Sequence, residues 1–436
     1  MIKHILTTSY RNAVVNRSNT LITCCGLSIA ISVIILIFLF VFNELTYDRF
    51  HHRSDRIYRL TTTIVTPAGD THLAISNTAF AHILKDELPE VENLACIDIG
   101  GTYHVKHGDV VLREENVRFS TQGIFDLFSY DVLRGNPAAM LTEPQTTVLT
   151  EALALKLFGK SDPVGEVVLF DHKPYQVVGV VGDLPSNTDL KFTALLASSV
   201  DGSEELLDWD DYYVYLLVQE GVQASLQSSV NSVAARVYES ILPPEYQGIT
   251  IQYNPQPLTS IHFDTTYLGD TPKGNRTNVY AFSCIALLIL FIACINYINL
   301  SIARAVMRNK EMLVRRVTGS SKLNITLQLI SESIITALIS CIGALIIAVL
   351  VMPLVNELAN INLSPSLLVN PLVILIAILI VSLLGLLTGI YPVLYQIRIT
   401  GHTATQSSIK SGFSQISKGL LTLQFVLSIA LIAAVL

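Results

Sequence analysis

The chain has 436 residues, of which 51% are hydrophobic and only 14% charged, and its mean hydropathy is +0.51. Soluble domains carry about 25% charged residues, so the composition excludes an ordinary soluble protein and indicates a membrane protein. The formal net charge of -7 lacks the basic excess of a nucleic-acid-binding protein, and we expect no nucleic acid partner.

The amino-terminal part predicts two helical segments. Residues 1–19 place Ile2, Ile5 and Tyr10 at helical spacing, which predicts an amphipathic helix at the membrane interface; a basic flank without regular structure is the alternative. Residues 20–43 predict the first transmembrane helix. A cleaved signal peptide is the rival interpretation, but the apolar run is too long and no small-residue cleavage site follows before Glu44.

Residues 44–278 form one large polar region with a mixed α and β pattern, for which we expect two subdomains. Asn77 and Thr150 each predict the start of a helix, ending before Pro89 and at Gly159. A longer helix is predicted from residue 226 to 242. Clusters of β-branched and aromatic residues predict strands at 146–149, 175–181, 212–218 and 249–253. Cys96 is the lone cysteine of this region, so no disulfide framework is expected.

This polar region contains no complete nucleotide-binding, metal-binding or catalytic motif. The sequence Gly-Lys-Ser at 159–161 matches the end of a phosphate-binding loop. However, Ala154 occupies the position at which that loop has its first glycine. Two histidine pairs, 51–52 and 104–107, lack the further ligands of a metal site. We therefore expect no catalytic residue, metal or cofactor in this chain, and a membrane enzyme is disfavoured.

A second apolar run at 279–303 predicts the second transmembrane helix, and a basic segment follows at 304–321. Lys and Arg beside a span mark its cytoplasmic side, so this segment is predicted to be a charged cytoplasmic helix. Its candidate functional residues, chosen for charge on a short helix, are Arg308, Lys310, Glu311, Arg315 and Arg316.

The remaining segments follow the same charge rule. Residues 322–352 and 371–396 predict transmembrane helices three and four. The loop 353–370 has no Lys or Arg and is predicted outside, whereas the connector 397–418 carries basic residues and is predicted inside. Residues 419–436 begin a fifth span, which suggests a longer protein. The amino terminus is predicted to be cytoplasmic.

Three polar residues lie inside predicted spans, where burial is costly. Asn296 and Asn299 share a face of the second span, and Glu332 lies in the third. We expect packing roles between helices or a shallow seat near the cytoplasmic edge, with contact to an ion or substrate as the alternative.

Several stretches resemble the permease subunit of a MacB/FtsX-type ABC transporter, of the two-repeat group common in Bacteroidetes. They are residues 43–51, 55–59, 125–135, 148–159, 162–165, 178–187, 257–262 and 293–301. The pattern after the second span also resembles the family, although Leu313 and Arg316 replace its usual Gly and Lys. The segment after Pro392 departs further, with residues 401–403 where the family tends to have Lys-Pro.

The resemblance implies an α-helical membrane protein with a large mixed α/β extracytoplasmic domain, the MacB-like periplasmic core domain, between the first and second transmembrane helices. It implies a multi-pass protein of the bacterial inner membrane that works with a cytoplasmic ATPase subunit, which binds the ATP. The segment 304–321 would be the coupling helix, and a dimer or a second repeat would complete the permease. A membrane-fusion protein or another periplasmic partner would bind outside. The expected activity is export, with a non-transporting signal transmitter as the alternative.

Overall fold

The computed structural model describes residues 17–207, 211–242, 248–307, 322–359, part of 361–385, and 406–435. The chain divides into two units. Residues Met1–Asn43 and Arg276–Leu436 make a helical unit, and Glu44–Asn275 make an α/β unit.

Helix α1, Arg17–Leu45, agrees with the predicted first span to within a turn at each end. Residues 1–16, which hold most of the predicted amphipathic helix, lie outside the described residues. Leu27, Ile31 and Leu39 of α1 are buried within the helical unit, so one side of this apolar helix packs against its neighbours in that unit.

The α/β unit contains twelve strands in one sheet. In chain order its elements are β1 (Ile57–Thr66), β2 (Gly69–Leu73), α2 (Thr78–Glu87), β3 (Val91–Asp98), β4 (Gly101–His107), β5 (Val110–Ser120), α3 (Ile124–Leu127), β6 (Val132–Gly135), β7 (Thr146–Thr150), α4 (Glu151–Phe158), β8 (Val167–Phe170), β9 (Lys173–Val181), β10 (Ala194–Ala197), β11 (Tyr212–Val218), α5 (Gln223–Ile241) and β12 (Thr250–Pro257).

The strand order gives two lobes within this one unit, and the two subdomains expected from the sequence stay a prediction. Strands β4, β5, β10, β7, β9 and β8 pair in a closed ring, because β10 pairs with β7 on one side and, in parallel, with β5 on the other. Strands β3, β11, β1 and β12 form an antiparallel sheet covered by α2 and α5. The two lobes join where Ile97 of β3 pairs with Ser120 of β5.

The local predictions for this unit are confirmed where residues are described. The Asn77 side chain accepts a hydrogen bond from the Phe80 amide at 2.8 Å and caps α2. Thr150 caps α4 through the Leu153 amide. Gly159 follows α4 with a φ of +62°, a conformation that glycine adopts without strain. The segment before Lys160 is therefore a helix, as the argument against a phosphate-binding loop requires.

The helices of the helical unit that are described over their length also include α6 (Arg276–Met307), α7 (Lys322–Ala359) and α8 (Gln406–Val435). Among the described residues, three stretches are long and apolar enough to cross a membrane: Thr20–Leu45, Arg276–Leu300 and Ile330–Leu358. The predicted fourth span is described only at scattered positions up to residue 385. Residues 397–405 of the connector lie outside the description, and α8 contains the rest of it and the predicted start of a fifth span.

One predicted boundary is wrong. The third span was expected to end at residue 352, before Pro353, but α7 continues through that proline to Ala359. Apolar helices tolerate an internal proline when neighbouring groups satisfy the freed carbonyl. The end of α7 is fixed instead by Asn356, whose side chain exchanges two hydrogen bonds with the Leu363 backbone, at 2.9 and 3.0 Å.

Candidate functional site

The residues chosen from the sequence are placed as follows. The five coupling-helix residues, Arg308, Lys310, Glu311, Arg315 and Arg316, lie outside the described residues, and their role stays a prediction.

The polar residues of the predicted spans are described. Asn296 is exposed and Asn299 half-buried on α6, and Glu332 is half-buried on α7. The Glu332 carbonyl accepts a hydrogen bond from the Thr336 hydroxyl at 2.8 Å, one turn further along α7. The burial of these three residues does not test their proposed packing roles, which stay predictions.

The structure brings together a different set of charged residues. They lie close to the first and last residues of the α/β unit. We call Glu44, Asp48, Asp189, His262 and Lys273 the clasp. Glu44 and Asp48 lie among the first residues of the unit, Asp189 in the loop after β9, His262 in the turn after β12, and Lys273 just before the end of the unit. All five side chains are largely buried, which is unusual for charged groups unless they are paired.

His262 lies at the centre of the clasp. Its Nε2 is 3.1 Å from a carboxylate oxygen of Glu44, and its Nδ1 is 3.2 Å from one of Asp189. The Tyr47 ring stacks on the imidazole at a centroid distance of 3.4 Å and an angle of 13°. Burial lowers the pKa of His262, but its hydrogen bonds to Asp189 and Glu44 outweigh burial, and the net pKa is raised. When it is protonated, the ring can donate to both carboxylates at once.

Asp48 fixes the loop that carries Asp189. Thr188 Oγ1 donates to one carboxylate oxygen of Asp48 at 2.5 Å, and the Asp189 amide donates to the other at 3.2 Å. The Asp48 amide in turn donates to the Asn187 carbonyl at 2.9 Å. Burial, and next the negative charge of Asp189, raise the pKa of Asp48 to about 7. A proton on Asp48 therefore lowers the negative charge of the clasp near neutral pH.

Lys273 connects the clasp to the central strands. Its Nζ lies 3.9 Å from Asp189 and 3.0 Å from Asp270. Asp270 accepts two hydrogen bonds from the Arg59 guanidinium of β1, at 2.7 and 2.6 Å, and Arg59 also donates to Gln256 of β12 at 2.8 Å. Because Arg59 is 1% exposed and paired in a two-pronged geometry, it anchors the last residues of the unit to its central sheet.

Gly274 allows the end of the unit to come this close. Its amide donates to the His262 carbonyl at 2.9 Å. A Cβ at this position would lie 2.3 Å from His262 Nε2 and 2.6 Å from a Glu44 carboxylate oxygen. A larger residue at 274 would therefore push apart the central ion pair of the clasp.

The chemistry of the clasp is structural. Within the described part of the chain, no group of three or more His, Cys, Asp or Glu side chains is arranged to hold a metal ion. His262 contacts one carboxylate oxygen of Glu44 and one of Asp189, and Asp48 accepts from the Thr188 hydroxyl and a backbone amide. The second carboxylate oxygen of Asp189 is buried without a hydrogen-bond partner among the described residues, and Lys273 Nζ lies 3.9 Å from it. What the arrangement does is join the two ends of the α/β unit to each other and to its central strands.

Sequence reasoning missed the clasp, although a signal was present. Stretches 43–51, 55–59, 178–187 and 257–262 were singled out for their resemblance to one family. The structure brings Glu44 and Asp48, Arg59, Asn187 and His262 from these four stretches into one network. The polar residues in them could have been predicted to meet.

Comparisons with known proteins agree with this architecture. Residues 20–247, about half of the chain, match the family model of the MacB-like periplasmic core domain, and residues 283–400 match the FtsX-like permease C-terminal model.

Two curated relatives are the macrolide export ATP-binding/permease protein MacB of Aggregatibacter actinomycetemcomitans and the pyoverdine export ATP-binding/permease protein PvdT of Pseudomonas savastanoi pv. phaseolicola. Both are 22% identical, over 51% and 58% of this chain. The chain matches only 34% and 37% of their lengths, so it spans about a third of either relative.

A solved domain of a candidate permease protein from Porphyromonas gingivalis aligns with 53% of this chain and 98% of its own, at 19% identity and a TM-score of 0.42. The two family matches lie one after the other on the chain, whose described residues include three apolar helices long enough to cross a membrane. The chain belongs to the MacB/FtsX-type permease family.

Proposed function

We propose that this chain is the permease subunit of an ABC transporter in the bacterial inner membrane. A separate cytoplasmic ATPase would bind and hydrolyse ATP, and the helical unit would carry the resulting movement to the α/β unit outside. The observation that carries the proposal is the succession of a MacB-like core domain and an FtsX-like permease segment on one chain.

The basic segment after α6 is the proposed contact with the ATPase. Residues 304–321 hold five basic residues and one acidic residue on a short segment next to a span, which suits docking into a groove with complementary charge. The Lys and Arg residues also favour a cytoplasmic location for this segment, with the α/β unit on the opposite side. The same rule places the amino terminus inside.

The clasp is the proposed link between the flanking helices and the α/β unit. The chain enters that unit at Glu44 and leaves it at Asn275, directly before α6. If the two connecting segments were loose, a displacement of the helices would be absorbed there. Because His262 and Lys273 fix both segments to the central sheet, a displacement would instead move the whole α/β unit.

Export is the proposed direction of transport, because the named activities of both curated relatives are exports. The complete assembly would contain two permease halves, either as a dimer or through a second repeat, together with the ATPase. A membrane-fusion protein or another periplasmic partner would bind the α/β unit.

The test is recovery of the ATPase from native cells with an affinity-tagged chain. Wild-type protein should co-purify an ABC ATPase, identified by mass spectrometry, and Glu311→Lys with Arg315→Glu should lose it. The matched control is Arg236→Glu, which reverses an exposed charge on α5 of the α/β unit and should leave recovery unchanged. Equal ATPase recovery with both variants would contradict the coupling assignment, and no ATPase with wild-type protein would contradict the proposed function.

A further inference from the structure

The helical unit contains an apolar cavity of about 180 Å³ that the proposed function does not use. It lies between α1, α7 and a third segment, formed by the described residues between 368 and 382. Ile35 and Phe38 line it from α1, Leu338 and Cys341 from α7, and Ile374 and Ile378 from the third segment. All three walls belong to the same unit.

The packing of α1 on α7 leaves this gap. The Ser28 hydroxyl donates to the Ser340 carbonyl at 2.9 Å, and a Cβ at Gly343 would lie 2.7 Å from the same hydroxyl oxygen. Small residues therefore bring the two backbones together at this point. The larger side chains of Ile35 and Phe38, further along α1, face the third segment across the cavity.

The cavity is unsuited to water and too small for a helix. Its lining offers only a thiol at Cys341 and a hydroxyl at Ser382 as polar side-chain groups, whereas a buried water needs two to four polar partners. An apolar cavity of about 150 Å³ stays dry and binds molecules of the size of benzene. A helix has a diameter of about 10 Å with its side chains and would not enter this volume.

The cavity reaches the surface of the helical unit. Leu338, Ile374 and Ile378 line it and are 54%, 43% and 58% exposed. On a membrane protein such exposed apolar side chains contact lipid tails, so the mouth of the cavity is continuous with the hydrocarbon region. We propose that this cavity binds the end of a phospholipid acyl chain from the surrounding membrane. The inference needs the membrane location of the helices but not the ATPase or any transported substrate.

The test uses the full chain reconstituted in lipid nanodiscs with a phospholipid that carries a diazirine near the end of one acyl chain. Light releases nitrogen from the diazirine, and the carbene inserts into a nearby C–H or S–H bond, which peptide mass spectrometry locates. We expect adducts at Ile374 to exceed those at Leu350, an alkyl side chain that is 73% exposed on α7 but does not line the cavity. Adducts at Cys341 are compared only between variants, because a carbene reacts more readily with a thiol than with an alkyl group.

Two variants sharpen the result. Ala377→Phe places a ring in the cavity and should remove the Cys341 adducts while leaving those at Leu350. Ile346→Phe adds the same ring to an exposed position of α7 outside the cavity and should change neither. Wild-type labelling of Ile374 no greater than that of Leu350 would overturn the proposal whether or not the variants fold. Cys341 adducts that persist in folded Ala377→Phe would also overturn the proposal. Contact of Cys341 with a second copy of the chain in place of lipid would overturn it as well.

Discussion

Replacement of His262 by leucine tests the clasp most sharply. The variant keeps a side chain of similar bulk but removes the donors to Glu44 and Asp189. Each hydrogen bond to a charged group contributes about 1.5–3 kcal/mol, and a buried charge that loses its partner costs about 3–5 kcal/mol. We expect the clasp to lose about 3–5 kcal/mol of local stability, which corresponds to an opening equilibrium about two to four orders of magnitude larger.

Hydrogen exchange followed by mass spectrometry measures this loss in the full chain. The amides of Asp48 and Gly274 donate to the carbonyls of Asn187 and His262, so both are protected while the clasp is closed. In His262→Leu these amides should exchange faster by about the factor by which the opening equilibrium of the clasp increases, because exchange reports local opening. Amides of β11, in the middle of the sheet, should change far less.

His104→Ala is the matched control. His104 also faces an aspartate, Asp171 at 3.4 Å, but its side chain is 73% exposed. Exposed ion pairs contribute about 0–1 kcal/mol, so this variant should leave exchange at Asp48 and Gly274 unchanged. Unchanged protection of these amides in His262→Leu itself would refute the assignment of the clasp as the link between the two ends of the α/β unit.

Three further predictions concern the same network. Gly274→Ala should speed exchange at Asp48 as His262→Leu does, because the added Cβ would lie 2.3 Å from His262 Nε2. Arg59→Lys should lower the thermal unfolding midpoint of the full chain, since a lysine cannot make the paired contacts of the buried guanidinium, and an unchanged midpoint would contradict the anchoring role. The clasp should loosen as the pH rises from 6.5 to 8. The folded pKa of His262 lies above the ordinary value of 6.5, so the stability from its imidazolium is complete below 6.5 and is lost as the pH rises through the folded pKa. Asp48, with its pKa raised to about 7, adds a smaller loss in the same direction up to that pH. Burial lowers the pKa of His51 to about 4, so His51 destabilises the fold only below 6.5 and leaves this window unaffected. The protection of the Gly274 amide relative to its intrinsic exchange rate should depend less on pH across the window in His262→Gln. An equal pH dependence of this protection in both proteins would exclude His262 as the titrating group.

The parts of the fold that depend on neighbouring residues were predictable from the sequence. Asn77 and Thr150 cap their helices through amides three residues further on, and Gly159 ends α4 through its own backbone conformation. The apolar stretches of α1, α6 and α7 follow from length and composition alone. Each of these features is decided within one or two turns of the chain or by a local average.

The parts that depend on distant contacts were not predictable. The parallel pairing of β10 with β5 closes the ring of one lobe, and no local pattern in Ala194–Ala197 indicates it. Glu44 and His262 are separated by 218 positions and meet only after the whole α/β unit has folded. The sequence predicted a span at 322–352 but not the extension of α7 to Ala359, next to which the Asn356 side chain bonds the Leu363 backbone.

The most direct test of the account is cysteine labelling of topology in intact cells. The native cysteines should give little background labelling, because Cys96 is buried and the other five lie in apolar helices. Asp109→Cys places a thiol at the exposed turn between β4 and β5, and Lys310→Cys places one in the basic segment after α6. A membrane-impermeant maleimide should label Asp109→Cys at once and Lys310→Cys only after the membrane is permeabilised. Labelling of both from the same side would contradict the proposed transmission of force across the membrane.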